Sequence, residues 1–389
     1  MTATTASVTR GSRELMEGSE AFVRAAILSG CRFFAGYPMT PFTETLESFA
    51  RLLPEVGGVC INAESELEAV GMAWGALATG ARAATGSTGQ GLSLMQESLS
   101  EITLAELPLV VFNMARSQGD YYQATRGGGH GDYRHIVLAP QDVSEGVELV
   151  QLAFHLADKW GNPVLFYGDY LLTHTQEAVS VEPLEFPSLP PKEWAVDGSR
   201  SGSGQSASVS MLGIAKAGMP SRGQEGGFQY QATKIPYMER EVRVDTGYLD
   251  DAETVVVAFG SPAKFVKYAI KQLRADGHRI GYVRPITLWP FPYEAVRAAT
   301  ANARRVGSFE ICAGQMIDDV TIGVGGQAPV QFIGGVSTDQ SGFGVGRLLD
   351  VEAVTARVLA LHEDRELPPI PGYDEFTYQL REHQQEAAP

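Results

Sequence analysis

Three glutamates alternate along a segment of helical periodicity, residues 62–80. At about 100° per residue, Glu66 falls within an apolar arc, whereas Glu64 and Glu68 project to the opposite side. The other members of the arc are Ala63, Leu67, Val70, Ala73, Trp74 and Leu77. Burial on such a face favours the neutral carboxyl, because desolvation penalises the charge, and such carboxyls often transfer protons. A frayed first turn with Glu66 near the surface fits the residues equally well.

A second candidate group lies in the loop GYPMTP, residues 36–41, which follows a short predicted strand. Its two prolines fix their own φ angles and restrict the residues before them, so the loop holds Thr40 in place. The alternative is an ordinary strand-to-helix turn without a function. We expect Thr43 to cap the next helix, over residues 44–53.

A glycine-rich turn, GSTGQG over residues 86–91, separates a predicted strand from a predicted helix over residues 92–105. A helix N-terminus after such a turn can receive an anion. However, no lysine follows the glycines as it does in a phosphate-binding P-loop. A tight turn against a ligand or a neighbouring subunit is therefore the alternative.

Two further side chains could act on a substrate. Arg116 follows the continuous apolar run 109–114, which is typical of a buried parallel strand, and ligands collect where such strands end. Its guanidinium suits a carboxylate through paired hydrogen bonds, and a surface ion pair is the alternative. His130, within GGGHGD, could be an acid, a base or a hydrogen-bond donor that stabilises its loop.

The composition narrows the class of protein. The chain has 389 residues, 44% of them hydrophobic, and a net charge of −16, which argues against binding to nucleic acid or to anionic membranes. No segment approaches the roughly 20 apolar residues of a membrane span, so we expect a cytoplasmic protein. The three cysteines, Cys31, Cys60 and Cys312, form no CxxC pair, so the sequence predicts neither an iron–sulfur cluster nor a zinc site.

Strands and helices alternate over residues 17–167 and again from residue 254 to 333, which predicts an α/β protein with two parallel-sheet domains. Between them the segment after Val181 is rich in proline, glycine and serine and has little periodicity. We expect it to form a long connection that crosses the surface and divides the chain.

Several motifs occur together in the order typical of one family: GYPMTP, AESE, SLMQE, DYYQATRGGGHGDYRHIVLAP and RPITLWPFP, followed by GQM. On these motifs the sequence resembles the α subunit of thiamine diphosphate-dependent 2-oxoacid:ferredoxin oxidoreductases, in particular the branched-chain 2-oxoisovalerate type. The resemblance implies a thiamine diphosphate fold. It comprises a pyrimidine-binding domain over 1–185, a linker over 186–249, a transketolase C-terminal-like domain over 250–365 and a tail over 366–389.

The resemblance also implies roles for individual residues. The family glutamate that hydrogen-bonds N1′ of the aminopyrimidine matches Glu66, where a protonated carboxyl favours the imino tautomer that removes the thiazolium proton. Arg116 matches the arginine that receives the substrate carboxylate. The implied catalytic residues are Glu66, Thr40 and Arg116, the cofactor contacts are Glu66, Tyr37, Pro38, Ser87, Thr88 and Gly89, and the substrate contacts are Thr40, Arg116 and His130.

The implied enzyme is complete only with other chains. The sequence lacks the family's GDG…N motif for diphosphate and Mg²⁺, which implies a β subunit that carries it and shares the thiamine diphosphate. The iron–sulfur clusters are expected on a ferredoxin-type subunit or domain, in a hetero-oligomer such as (αβ)₂. The implied reaction oxidatively decarboxylates a 2-oxo acid to acyl-CoA and CO₂, with electrons passed to ferredoxin.

One departure from the family keeps two other functions open. Between Arg116 and Asp120 only Ser117-Gln118-Gly119 stands where relatives carry a longer segment of GGPGLGN type. This shortening, beside the expected substrate, suggests a thiamine enzyme that performs non-oxidative decarboxylation or carbon–carbon ligation. A non-catalytic assembly subunit is the other alternative.

Overall fold

The predicted alternation of strands and helices forms two α/β units in the computed structural model, which describes residues 13–196, 208–210, 213–215, 223–336 and 349–370. The helices are α1 (Gly18–Leu28), α2 (Thr43–Leu52), α3 (Glu66–Ala78), α4 (Gly89–Leu104), α5 (Tyr121–Thr125), α6 (Val143–Trp160), α7 (Tyr170–His174), α8 (Gly223–Met238), α9 (Gly260–Ala275), α10 (Tyr293–Ala299), α11 (Met316–Val324) and α12 (Val351–His362). The strands are β1 (Glu14–Glu17), β2 (Cys31–Gly36), β3 (Val59–Asn62), β4 (Arg82–Ser87), β5 (Val110–Ala115), β6 (Ile136–Leu138), β7 (Val164–Asp169), β8 (Gln176–Val179), β9 (Ser208–Ser210), β10 (Gly213–Ala215), β11 (Val244–Gly247), β12 (Thr254–Ala258), β13 (Ile280–Pro285), β14 (Thr287–Trp289), β15 (Arg305–Phe309) and β16 (Val330–Phe332). None of the helices in these ranges is long and apolar enough to cross a membrane.

The larger sheet, as far as the described ranges show, has seven strands in the order β14-β6-β7-β5-β4-β2-β3. All neighbours from β6 to β3 are parallel, which confirms the predicted sheet type. Strands β5 and β7 are buried along their whole length, as expected for a parallel sheet covered on both faces. Since parallel strands end at the same edge, the loops after β2, β3, β4 and β5 lie side by side.

The smaller sheet has the order β11-β13-β12-β15-β16 in the described chain, with only β11 antiparallel to its neighbour. Strand β14 follows β13 in sequence but pairs antiparallel with β6 of the larger sheet. The sequence predicts no strand in residues 285–292, so this link between the two units is a finding of the structure. It covers the edge that β6 would otherwise expose.

The predicted linker, residues 186–249, contains helix α8 and strands β9, β10 and β11 in its described part. The helical pattern is weak because Pro236 lies inside the helix and several glycines begin it. Contacts with α4 stabilise α8 instead. Phe228 packs in a buried cluster with Leu104, and the Gln231 side-chain amide donates to the Thr103 carbonyl over 2.8 Å.

Two helices begin at other residues than the sequence predicts. Phe42 occupies the N-cap position of α2, so Thr43 is the first helical residue and does not cap the helix. Helix α4 begins at Gly89, with Thr88 as its N-cap residue, so part of the glycine-rich turn forms the first turn of the helix. The amide groups of this turn therefore point from a helix N-terminus toward the carboxyl edge of the sheet.

A buried carboxylate joins the two units. Asp319 in α11 is fully buried, accepts a hydrogen bond from Tyr121 Oη over 2.6 Å and another from the hydroxyl of Tyr293, and pairs with Arg126 at 2.9 Å. Burial raises the pKa of Tyr121 well above its ordinary value, and the charge of Asp319 raises it further, so the phenol stays protonated and donates. Tyr121 and Arg126 belong to the first unit, whereas Asp319 and Tyr293 belong to the second.

Replacement of Asp319 by Ala should lower the free energy of unfolding by about 3 kcal/mol, because it leaves the buried Tyr121 hydroxyl, together with Tyr293 and Arg126, without their shared acceptor. Asp318→Ala is the matched control, since Asp318 is exposed and bonds only the outer Tyr122 hydroxyl, over 2.5 Å. We expect the control to cost less than about 1 kcal/mol. Urea denaturation followed by circular dichroism measures both, and equal losses would contradict the assigned role of Asp319.

Candidate active site

The sequence-predicted groups come from four segments that meet at the carboxyl edge of the larger sheet. Gly36, the last residue of β2, lies in register with Asn62 of β3 and with Gly86 of β4. Ligands bind at this edge in parallel α/β sheets. The candidate residues at or just after these strand ends are Thr40, Glu66, Ser87 and Arg116.

Glu66 opens helix α3 and is buried, with 4% of its surface exposed. Ser65 caps the helix: its hydroxyl oxygen accepts from the Leu67 amide over 3.2 Å, and its hydroxyl donates to Glu68. Both Glu64 and Glu68 are exposed. The predicted burial of Glu66 is thus confirmed, and the frayed first turn is excluded.

The Glu66 carboxyl is held by β4 and α4. Ser87 Oγ, at the end of β4, donates to Glu66 Oε1 over 2.7 Å, and Ser87 is itself 1% exposed. A Cβ at Gly91 in α4 would lie 2.1 Å from Ser87 Oγ and 2.3 Å from Glu66 Oε1. Only glycine leaves room for this pair.

The other carboxyl oxygen, Glu66 Oε2, accepts no hydrogen bond from the residues that the structure describes. Because Ser87 donates to Oε1, a ligand atom would meet the carboxyl at Oε2. Glu66 can therefore give a hydrogen bond to a ligand atom or accept one from it through Oε2.

The predicted apolar arc of α3 is only partly buried. Val70, Ala73 and Leu77 are buried, but Leu67 is 46% exposed, so its assignment to the buried face is wrong. On the outer face Met72 is 40% exposed, and a Cβ on its neighbour Gly71 would meet nothing within 4 Å. An apolar surface thus begins one residue beyond Glu66.

A cleft of about 320 Å³ opens beside the start of α4, lined by Thr88, Gly89, Gln90, Ser93, Arg116, Ser117, Asp120 and Gln123. Thr88 is 1% exposed, and its Oγ1 has no hydrogen-bond partner among the described residues. Buried hydroxyls normally find a partner, so the Thr88 hydroxyl is available to a ligand or a water molecule.

Arg116 and Thr40 are brought together across the cleft wall. Arg116 Nε donates to the Thr40 carbonyl over 3.0 Å, which connects the loop after β2 to the end of β5. The Thr40–Pro41 peptide is cis, and the Thr40 side chain is exposed. The structure thus brings two of the three predicted substrate residues together, of which Arg116 lines the cleft and Thr40 lies beside it.

Asp120 is a cleft residue that the sequence reasoning missed. Its Oδ1 accepts from Gln123 Nε2 over 3.0 Å and its Oδ2 from Asn113 Nδ2 over 3.3 Å. Burial raises the pKa of Asp120, while these amides and the charge of Arg116 act in the opposite direction. An acid placed directly after a tight turn at the end of a buried strand is the signal that could have identified it.

The remaining predicted residues, Tyr37, Pro38 and His130, lie at different distances from Glu66 and the cleft. Tyr37 and Pro38 follow Gly36, whose carbonyl accepts from the Ala63 amide over 2.9 Å, so their loop borders the start of α3. His130 lies elsewhere: Nε2 is 2.9 Å from Glu101 Oε1, and Nδ1 is 3.0 Å from Ser100 Oγ. Glu101 is ten residues beyond Gly91, about 15 Å along α4. Within this chain His130 does not join the cleft.

In the described ranges no group of three or more His, Cys, Asp or Glu side chains is arranged to hold a metal ion. Burial raises the pKa of Cys31 and of Cys312 to about 12 each. These thiols therefore stay protonated near neutral pH and are poor nucleophiles.

Comparison with known proteins agrees with this geometry. The fold is that of a thiamine diphosphate-type protein, and the family model described as pyruvate flavodoxin/ferredoxin oxidoreductase, thiamine diphosphate-binding, matches residues 24–243. The model for core domain II of pyruvate:ferredoxin oxidoreductase matches residues 252–342. The chain belongs to the pyruvate:ferredoxin oxidoreductase family.

Curated relatives are subunits of 2-oxoacid oxidoreductases. Ketoisovalerate oxidoreductase subunit VorB of Methanothermobacter marburgensis is 38% identical over 327 residues, covering 80% of this chain and 90% of the relative. 2-Oxoglutarate synthase subunit KorA of Methanothermobacter thermautotrophicus is 35% identical over 349 residues, covering 82% of this chain and 93% of the relative. The predicted family and function as an oxidoreductase subunit are confirmed.

Solved structures confirm the fold. A 2-oxoglutarate:ferredoxin oxidoreductase from Magnetococcus marinus, with 2-oxoglutarate, coenzyme A and succinyl-CoA bound, matches with a TM-score of 0.71 at 24% identity. The match covers 89% of this chain and 65% of that chain. A split-gene transketolase, an inactive β4 tetramer, matches with a TM-score of 0.56 at 15% identity over 90% of this chain and 99% of that chain.

Gly91→Ala should lower the free energy of unfolding by about 2 kcal/mol, because the added methyl group displaces Ser87 and Glu66. Gly75→Ala is the matched control, since a Cβ at that exposed helical position meets nothing within 4 Å. Alanine there should raise stability by up to about 1 kcal/mol. Thermal and chemical denaturation of the chain measure both, and a neutral Gly91→Ala would contradict the tight packing described.

Proposed function

We propose that this chain supplies the catalytic glutamate, Glu66, to a 2-oxoacid:ferredoxin oxidoreductase. The enzyme oxidatively decarboxylates a 2-oxo acid to acyl-CoA and CO₂, and two electrons pass to ferredoxin. The observation that carries the proposal is the buried Glu66 carboxyl, with one oxygen held by Ser87 and the other free at the carboxyl edge of the sheet. Family membership supports the class of reaction.

The residues fit thiamine diphosphate on two observations. Glu66 Oε2 accepts no hydrogen bond from the described residues and can meet a ring nitrogen of an aminopyrimidine, and the buried Thr88 hydroxyl also lacks a partner among those residues. The cofactor supplies the nucleophilic carbon and accepts the electron pair released with CO₂. Ser87 fixes the orientation of the Glu66 carboxyl, Glu66 holds or transfers the proton on Oε2, and the unpartnered Thr88 hydroxyl offers a further contact. Tyr37, Pro38 and Gly89 complete the proposed cofactor wall.

The substrate lies on the Arg116 side of the cleft in this proposal. Arg116 binds the carboxylate of the 2-oxo acid, and its bond to the Thr40 carbonyl keeps the guanidinium near the Thr40 hydroxyl. The polar lining and the helix N-terminus at Gly89 favour an anionic substrate. His130 contacts substrate only if a partner chain extends the site across the distance that separates it from the cleft.

A β subunit completes the active site in this proposal. It carries the GDG…N motif, holds the diphosphate and Mg²⁺, and covers the exposed apolar face of α3 and α4, where Leu67 and Leu94 are 46% and 47% exposed. A ferredoxin-type chain or domain carries the iron–sulfur clusters, and the assembly is a hetero-oligomer such as (αβ)₂. The pyrimidine-binding domain spans 1–185, and the transketolase C-terminal-like domain spans 250–365.

Glu66→Gln should lower turnover at least about 100-fold, because the amide keeps the size of the side chain but cannot transfer the proton. The measurement is 2-oxo acid- and CoA-dependent reduction of a low-potential dye by the chain purified with its partner subunits. Glu64→Gln is the matched control, because Glu64 is exposed two residues away, and its rate should stay within twofold of wild type. Full activity in Glu66→Gln would refute the assignment. Turnover of the 2-oxo acid that requires no CoA and reduces no dye would indicate a non-oxidative enzyme.

Arg116→Gln should raise the KM for 2-oxoisovalerate, and for 2-oxoglutarate if it is a substrate, by at least about tenfold, because the carboxylate loses its charged, paired donor. Binding of thiamine diphosphate should not change. Arg304→Gln serves as control, since Arg304 is 75% exposed and pairs only with Glu253 in the second unit. Steady-state kinetics decide the result: an unchanged KM would exclude Arg116 as the carboxylate site.

A further inference from the structure

Hydrogen bonds to the second unit hold the turn after Arg116 and the start of α5, among them one from the Gln118 amide to the Ile311 carbonyl over 3.3 Å. Residues 117–120 form a tight turn, with a 3-10 helix at Gln118–Asp120, between the end of β5 and α5. Arg116 precedes this turn and Asp120 ends it, and both line the cleft. Any displacement of the turn therefore moves both cleft side chains.

Gln118 provides the first pair of fastenings. It is 1% exposed, its Nε2 donates to the Phe259 carbonyl over 2.9 Å, and its Oε1 accepts from the Ile311 amide over 2.9 Å. Phe259 and Ile311 follow β12 and β15, so the side chain of Gln118 is hydrogen-bonded to the carboxyl edge of the smaller sheet. A buried amide with both ends satisfied fixes its backbone, because loss of either bond leaves a buried polar group unpaired.

Gln315 provides the second pair. Its Oε1 accepts from the Tyr122 amide over 2.8 Å, and its Nε2 donates to the Gly119 carbonyl over 2.7 Å. It thus holds the turn on both sides of Asp120. Gln315 is in turn fixed, because its own amide donates to the buried Glu310 carboxylate over 2.9 Å.

We propose that Gln315, together with Gln118, is a positioning residue through which the second unit sets the location of Arg116 for the substrate carboxylate. On the side of the first unit, Arg116 Nε donates to the Thr40 carbonyl of an exposed loop. The pair Gln118 and Gln315, here called the glutamine clamp, holds the turn rigidly on the side of the second unit. The proposal rests on the proposed function, since it requires that Arg116 bind the 2-oxo acid.

The clamp also explains why the second unit must be present near the cleft. None of the cleft-lining residues belongs to that unit within the described chain. Its contribution to the reaction is geometric, because small displacements of a binding group cost large factors in rate. Gln315 is half-buried, so it can be replaced with less risk to folding than Gln118.

The test compares Gln315→Ala with Arg116→Gln in the complete enzyme with its partner subunits. In Gln315→Ala we expect the KM for the 2-oxo acid to rise about tenfold, while the KM for CoA and the affinity for thiamine diphosphate stay within twofold. The double variant should show no further rise over Arg116→Gln alone, because the clamp acts through that arginine. Gln272→Ala is the matched control, since Gln272 is exposed on α9 of the same unit, and it should behave as wild type.

Each outcome decides between the two proposals. If Arg116→Gln raises the KM and Gln315→Ala does not, the clamp is refuted and the function of Arg116 stands. If neither raises it, both are refuted. If Gln315→Ala fails to assemble, Gln315→Glu keeps the acceptor for the Tyr122 amide and loses the donor to Gly119, and its KM is judged by the same criterion. A rise in the double variant beyond Arg116→Gln would show that Gln315 acts by another route.

Discussion

A carboxyl group removed from water needs a hydrogen-bond donor, and in this chain Glu66 accepts from Ser87, which lies 21 residues away at the end of β4. This pair depends on the parallel order β4-β2-β3, which brings the end of β4 near the start of α3. It also depends on Gly91, because any side chain there would occupy the same space. The site therefore depends on three features: the order and register of the parallel strands, the residue at which α3 begins, and the absence of a Cβ atom at Gly91.

The two units meet through polar groups whose hydrogen bonds are satisfied across the boundary. Asp319 accepts from the first unit, and Gln118 exchanges bonds with two loops of the second. Because such groups are costly when unpaired, each unit limits the positions available to the other. Strand β14 continues the chain from β13 of the second unit and pairs with β6 of the larger sheet, so the two units are joined both covalently and by strand pairing. The second unit is therefore mechanically linked to the cleft.

The active-site edge faces an unpartnered apolar surface. Leu67 and Met72 project outward from the same helix that buries Glu66, and Leu94 does so from α4. Helix α3 thus presents Glu66, the proposed proton-transferring group, inward and apolar side chains outward. This arrangement suits a site that lies between subunits, as the proposed function requires.

The sequence by itself determined the α/β class and the family, and it distinguished Glu66 from its two neighbouring glutamates, but the structure decided between burial and a frayed first turn. Helical and strand periodicities are local properties, and they separated Glu66 from Glu64 and Glu68 before any partner was known. The motifs identified the family because their residues and their order are present in the sequence itself, without any knowledge of three-dimensional contacts. Local patterns also misplaced Leu67, whose exposure depends on what covers the helix.

Only the tertiary structure decided which distant residues meet. Ser87 as the partner of Glu66, Asp120 in the cleft, the clamp of Gln118 and Gln315, and the pairing of β14 with β6 all join residues far apart in sequence. The same holds for His130, which a local motif suggested for the site and which the length of α4 keeps away from it. Strand order and register set these distances, and neither follows from the periodicity of a single segment.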